Sequence, residues 1–298
     1  DFMKKILVTG GNKGIGLAIV EKILEADEQS FVYLGSRNIE RGEASKNDLL
    51  KKDKSYKERI EVLALDVSND KSVSEAFKIV EKKCEAESQK LYGIVNNAGV
   101  MMEDSHLEDV LQVNVYGIYR VSKKFIPLLD EEKGRVVNIT SAAGPNFVST
   151  CSDKQKKFLV SSDISWDTLE SFMNKCIDLR KSGKDFSKEG LGDGPSYGLS
   201  KALANVLTLN MAKIYPNLKI NACTPGFIET DMTRPMAKAW GKSPEEAGMK
   251  DPHFGAMAPV FLLFDDSVGH GNYYGSDALR SPIDKYRSPG TPAFSGKY

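Results

Sequence analysis

The first half of the chain alternates short apolar runs with longer amphipathic stretches, and this alternation restricts the fold more than any other feature. Residues 5–9 read as a buried strand. Residues 14–26 read as a helix, with Ile15, Ala18, Ile19, Ile23 and Leu24 at helical spacing. The pattern then repeats: a strand over 31–34 before the charged stretch 39–52, one over 60–65 before a helical pattern over 72–84, one over 91–95 before 107–129, and one over 135–140. Strands that alternate with helices build βαβ units, whose right-handed crossovers cover both faces of a parallel sheet. The expected fold class is α/β: a doubly wound parallel sheet of the Rossmann type, forming a single domain over 1–298.

After Ser141 the rhythm breaks. Residues 147–196 are charged and poor in strand signals, and they read as an insertion too short for a core of its own. One helix is expected in it, over 165–180, with Trp166, Leu169, Phe172, Met173, Cys176 and Ile177 on one face. The α/β pattern resumes with a helix over 197–215 and a strand over 219–223. A helix is expected over 256–264, and a last strand near Tyr273 and Tyr274. The tail 280–298, with Pro282, Pro289, Gly290, Pro292 and Gly296, is expected to be either packed on the surface or disordered. Asp1 and Phe2, ahead of Met3, read as an appended remnant.

Composition closes several other routes. Lysine plus arginine number 41, as do aspartate plus glutamate, so nothing in the net charge draws the chain to nucleic acid or an anionic membrane. No apolar run approaches the ~20 residues that span a bilayer. Cys84, Cys151, Cys176 and Cys223 are widely spaced, as are His106, His253 and His270. Free thiols in a reducing, cytoplasmic compartment and no metal site are expected. The glycosylation sequon at Asn138 falls in an apolar strand pattern and is expected to be silent.

Thr9-Gly10-Gly11-Asn12-Lys13-Gly14-Ile15-Gly16 lies between the first strand and the first helix. Glycine there allows positive φ and close backbone approach. The helix N-terminus that follows offers free N–H groups to an anion such as a pyrophosphate. Many strand–helix turns are glycine-rich for packing alone; the strand before and the helix after favour a dinucleotide. At the end of the second strand an acid would bond the ribose 2′-OH of NAD. Here Leu34-Gly35-Ser36-Arg37 has none. Arg37, helped by Lys13, suits a 2′-phosphate, so NADPH is the expected cofactor.

Tyr197-Gly198-Leu199-Ser200-Lys201 opens a helix and puts a phenol and an ammonium on one face. The ammonium is expected to lower the tyrosine pKa and so fit it for acid/base work. Alone, such a pair is usually surface decoration. Ser141 follows the fifth strand at the carboxyl edge, where ligands of open α/β sheets bind. It can hydrogen-bond a carbonyl oxygen, or serve simply as a turn residue. Asn96-Asn97-Ala98-Gly99 ends the fourth strand at that edge, and Asn114 sits within the next helix.

Together these residues resemble the short-chain dehydrogenase/reductase family. The shared motifs are Thr9-x-x-x-x-Gly14-x-Gly16, Asn96-Asn97-Ala98-Gly99, Asn114, Ser141, Tyr197-x-x-x-Lys201 and Pro225-Gly226, from about Lys5 to Met232. Within it, the turn Gly11-Asn12-Lys13-Gly14-Ile15-Gly16, Arg37, the insertion and Phe227-Ile228-Glu229-Thr230-Asp231-Met232 are similar to the monomeric carbonyl reductases. The resemblance implies that Tyr197 protonates the carbonyl oxygen as hydride arrives from the nicotinamide. It implies that Lys201 lowers the pKa of Tyr197 and holds the nicotinamide ribose. Ser141 would orient the carbonyl, and Asn114 would hold a water linked to Lys201. Gly10, Asn12, Ile15, Asn96, Ala98, Gly99, Pro225 and Gly226 join the cofactor site. Asp66 and Val67 would contact the adenine, and Thr230 the carboxamide and phosphates. An insertion packed on the Tyr197 helix implies a monomer.

The region around Gly271-Asn272-Tyr273-Tyr274-Gly275 and the tail depart from that subgroup. Phe147, Met236 and Trp240 are candidate contacts to an apolar substrate, and equally candidates for plain packing. The expected activity is reduction of a small-molecule ketone, aldehyde or quinone. The alternatives are an alcohol or steroid dehydrogenase working oxidatively, and a non-catalytic NADPH-binding regulator.

Overall fold

The computed structural model describes residues 3–298; Asp1 and Phe2, read above as a remnant, lie outside the described residues. The sheet order is β3-β2-β1-β4-β5-β6-β7-β8. The strands are β1 (Lys4–Val8), β2 (Ser30–Ser36), β3 (Ile60–Ala64), β4 (Leu91–Asn96), β5 (Arg135–Ile139), β6 (Lys219–Cys223), β7 (Tyr273–Tyr274) and β8 (Arg280–Ser281). Every neighbouring pair is parallel except β7 with β8. The chain leaves β1 toward β2 and β3, then returns to β4 on the other side of β1. That reversal opens a crevice beyond the carboxyl ends of β1 and β4, where ligands of such sheets bind.

Both faces of the sheet are covered, and the two-residue repeat of a strand sends alternate side chains into different layers. Leu7 joins Ile94, Val136 and Ile220 in one layer, while Ile6 and Val8 join Val32, Leu34, Val95 and Val137 in the other. Helices α1 (Gly14–Ala26), α2 (Ile39–Lys52) and α3 (Asp70–Glu87) follow the first three strands in turn. The pattern expected as one helix over 107–129 is divided into α4 (Leu107–Asn114) and α5 (Tyr116–Phe125). Val115, at φ −120° and ψ −59°, leaves helical geometry between them. The side chain of Asn114 is tied to the backbone of Val100 at that point.

Residues 147–196 hold more helix than periodicity alone indicates. The end of α6 (Ala143–Ser149) and the short α7 (Asp153–Leu159) precede α8 (Trp166–Lys181). Seven-residue helices offer too few turns for a clear repeat. Ser165 caps α8 by accepting from Thr168 N. Leu169, Met173 and Cys176 of α8 share a core with Leu199, Leu203 and Val206 of α9 (Ser196–Ile214). With β6 on its other side, α9 is buried almost all round.

Beyond β6 come α10 (Arg234–Ala239), α11 (Pro252–Gly255) and α12 (Met257–Phe264). Strand β8 runs antiparallel to β7 because a parallel crossover needs a dozen or more residues, and the connection here is a short turn. The tail packs rather than dangles. Tyr298 Oη accepts from Ile283 N at 2.9 Å and lies 3.1 Å from Asp284 Oδ1, while Phe294 N donates to Arg280 O at 2.8 Å. Asn138, the sequon asparagine, is fully buried in β5.

Met173 is completely buried between α8 and the core. Met173→Ala should lower the unfolding free energy by about 2–5 kcal/mol in urea titrations. A loss below about 1 kcal/mol would show that α8 contributes little to the core.

Candidate active site

The glycine turn is held against the end of β4. Thr9 Oγ1 accepts from Asn97 N and Ala98 N, each at 3.0 Å, and Asn97 Nδ2 donates to Thr9 O and Gly10 O, each at 3.2 Å. Gly10 and Gly14 have φ of +61° and +54°. A Cβ at Gly16 would lie 2.1 Å from Gly10 O and 2.5 Å from Asn97 Nδ2, so no side chain fits. No side chain caps the N-terminus of α1, so the amides of its first turn face the crevice. This cradle fits a dinucleotide pyrophosphate, with backbone donors at a helix N-terminus and no Cβ in the way.

The cations flank it unequally. Arg37 is exposed at the end of β2 and has no ion pair among the described residues. Lys13 is exposed but pairs with Asp231 Oδ2 at 3.1 Å, across the crevice from the loop after β6. In the same loop the Thr230 methyl would lie 3.4 Å from a Cβ at Gly14. Asn12 O accepts from Ser45 Oγ at 2.5 Å, and Ile15 packs against the second core layer. Asp66 Oδ1 accepts from both N and Oγ of Ser68, and Val67 is buried against Gly117. Ala98 and Gly99, just after β4, are half-buried; after β6, Pro225 is buried and Gly226, at φ +93°, is half-buried. Asn96 points elsewhere: its Nδ2 donates to Ser122 Oγ and Asn138 Oδ1 inside the core.

Ser141, Tyr197 and Lys201 meet at the carboxyl edge. Lys201 Nζ stands 5.5 Å from the centre of the Tyr197 ring and donates to Ile139 O at 3.2 Å. A Cβ on Gly99 would be 3.4 Å from both Lys201 Nζ and Asn114 Oδ1, so both groups approach the backbone at Gly99. Asn114 is fixed: Val100 N donates to its Oδ1 at 2.8 Å, and its Nδ2 donates to Val100 O and Ser200 Oγ. The Ser141 hydroxyl accepts from Ala143 N at 3.1 Å and lies near enough to the Tyr197 phenol to favour its phenolate.

Titration in this cluster departs from expectation. Burial pushes the Tyr197 phenol up, and the nearby Ser141 hydroxyl works against it. Burial, and not the neighbouring Lys201, sets the net direction. The pKa of Lys201 itself is brought down to about 8 by burial, so taking both groups out of water outweighs their mutual attraction in setting the phenol.

Some residues escaped the reading of the sequence. Thr9 and Asn97 clamp the turn, and Asp231 engages Lys13; each falls within a quoted motif, but its partner lies far away in the chain. Phe147 is buried in the core, whereas Trp240 is 53% exposed and lies near Phe227. Phe147 therefore packs, and Trp240 with Met236 remains on the open side. Among the described residues no cluster suits a metal ion.

The family model for short chain dehydrogenases matches residues 4–152. Carbonyl reductase (NADPH) 1 of Pongo abelii is 32% identical over 287 residues, covering 91% of this chain and 95% of that one. Among solved structures, menthone neomenthol reductase from Mentha piperita superposes with a TM-score of 0.73 at 23% identity, covering 93% of this chain and 99% of that one. A carbonyl reductase from chicken fatty liver, solved with NADPH bound, gives 0.64 at 20% identity over 94% and 98% of the two chains. These structural likenesses bear on the fold.

Burial of Lys201 has a consequence for stability. Its folded pKa, about 8, lies below the ordinary lysine value of 10.5. Between these the unfolded chain binds the extra proton, so this group makes the fold more stable as pH rises through the window. The stability of the wild type relative to Lys201→Met should therefore climb from pH 8 to 10.5, by roughly 2–3 kcal/mol. A flat difference in denaturant titrations would mean that Lys201 titrates normally.

Proposed function

Because the chain belongs to the short-chain dehydrogenase/reductase family and is an NADPH-dependent oxidoreductase, we propose that it reduces the carbonyl of a small apolar ketone, aldehyde or quinone to an alcohol. The observation that carries this reading is the cluster of half-buried Ser141 and Tyr197 with buried Lys201 beside the glycine cradle.

When bound, NADPH supplies the hydride. The amides of Gly14, Ile15 and Gly16 hold its pyrophosphate, with Gly10, Asn12 and Thr230 shaping the cradle. Arg37 and Lys13 take the 2′-phosphate. Lys13 can leave Asp231 to do so, since an exposed ion pair contributes only about 0–1 kcal/mol. Asp66 and Val67 receive the adenine. Asn96, through its backbone, joins Ala98, Gly99, Pro225 and Gly226 along the rim.

Ser141 donates a hydrogen bond to the carbonyl oxygen and sets its position. Tyr197, its pKa raised by burial, stays protonated at neutral pH and gives its proton to the same oxygen. Lys201 is mostly charged at neutral pH and stabilises the phenolate that is left. It also reaches the nicotinamide ribose, and Asn114 holds a water beside it.

We also read the protein as a cytoplasmic monomer. The packing of α8 on α9 leaves little of α9 for a subunit contact, and the four cysteines are free and buried. No helix among the described residues is long and apolar enough to cross a membrane. Light scattering tests the oligomeric state, and a dimer or tetramer mass would refute the monomer.

The first test follows NADPH absorbance with quinones, aromatic aldehydes and steroid ketones, repeated with NADH. Turnover is expected with NADPH on at least one; tight NADPH binding without turnover on any would favour the regulator. Tyr197→Phe should cut kcat by about 10²–10⁴-fold and leave NADPH binding intact. Near wild-type activity would remove Tyr197 from its role. Arg37→Asp should weaken NADPH relative to NADH by about 1.5–3 kcal/mol in direct titration. An unchanged preference would move the 2′-phosphate elsewhere.

A further inference from the structure

A seam of polar side chains runs through the otherwise apolar layer between β4, β5, α5 and α9. Asn96 Nδ2 donates to Ser122 Oγ at 3.1 Å and to Asn138 Oδ1 at 2.8 Å. Asn138 Nδ2 donates to Thr208 Oγ1 at 2.9 Å. In this layer Asn205 is 2% exposed, yet neither its Oδ1 nor its Nδ2 has a protein partner. Asn96 Oδ1 is also unpartnered. An amide buried without hydrogen bonds costs several kcal/mol, and the usual remedy is an ordered water.

The helix fixes where Asn205 faces. Lys201, Asn205 and Thr208 stand at i, i+4 and i+7 on one stripe of α9. The two outer members both bond to β5, Lys201 at Ile139 O and Thr208 at Asn138 Nδ2. Asn205 therefore looks onto the same strand between them. Helical side chains lean toward the N-terminus, so its amide leans toward Lys201.

We infer that Asn205 is a positioning residue for Lys201: its amide holds ordered water in the seam, and that water solvates the ammonium from inside the fold. An ammonium has three donors, and one is taken by Ile139 O. The other groups around Nζ are Gly99, Asn114 and the Tyr197 ring; of these only Tyr197 titrates, and no charged side chain stands among them. Burial alone brings the lysine down to about 8. Internal water keeps it from falling further. This inference rests on the role proposed for Lys201.

The test compares the wild type with Asn205→Ala and Asn205→Ser. The limb of the kcat–pH profile assigned to Lys201 should move down by about half a pH unit or more in the Ala variant, because the ammonium loses its solvation. NADPH affinity should hold, and Ser, which keeps a polar group, should restore the limb. A limb unmoved by Ala, or moved equally by Ser, overturns the inference and leaves Asn205 a packing residue. Two readouts need no turnover. NMR titration of the lysine ε-methylene should show the same shift, and a high-resolution crystal structure of the wild type should show water bonded to the Asn205 amide. No water there overturns the inference. A wild type that reduces no carbonyl would instead sink the proposed reaction, while both of these readouts still decide the role of Asn205.

Discussion

The architecture of the site depends on the clamp between the glycine turn and the end of β4. Thr9 Oγ1 accepts two backbone N–H groups from Asn97 and Ala98, and Asn97 returns two bonds to the turn. These bonds fix how far apart the carboxyl ends of β1 and β4 stand at the point where the strand order reverses. With that distance set, Gly16 can approach Gly10 O so closely that any side chain would collide. The first turn of α1 then points its amides into the crevice. Ser141, at the end of β5, and Tyr197 and Lys201, on α9, reach the same edge because β4, β5 and β6 are parallel and adjacent. A parallel sheet brings residues far apart in sequence to one rim, and the clamp gives that rim its shape.

Much of this was legible in the sequence because strands buried on both faces read as plain apolar runs and the long helices carry a clean repeat. Residues 14–26 and 219–223 were bounded as observed. The short elements were not legible. α6 and α7 span too few turns to show periodicity, and α6 contains Pro145. β8 has two residues and exists because a short turn folds it back on β7. Within the candidate site the motif residues could be named from their spacing, but their partners could not. Asn96 and Asn97 are neighbours in one motif, yet alternation along the strand sends one into the core and the other onto the glycine turn. The pairing of Lys13 with Asp231 joins segments that no local pattern relates.

The titration of the cluster was the least legible feature, because it depends on burial and not on spacing. The i to i+4 relation of Tyr197 and Lys201 suggests an ammonium that draws the phenol down. In the folded chain both groups shift toward their neutral forms, the phenol upward and the lysine downward, since each loses water before it gains a partner. At neutral pH the phenol keeps its proton, while a lysine titrating near 8 keeps most of its charge. Transfer of the phenolic proton to a carbonyl oxygen then creates an anion beside a cation where water is scarce. Coulomb attraction between two charges strengthens as the local dielectric falls. The burial that makes the phenolate costly in isolation thus strengthens its attraction to Lys201 once the proton has moved. By stabilising the phenolate the ammonium lowers the phenol's pKa, but burial is the larger effect and the net shift is upward.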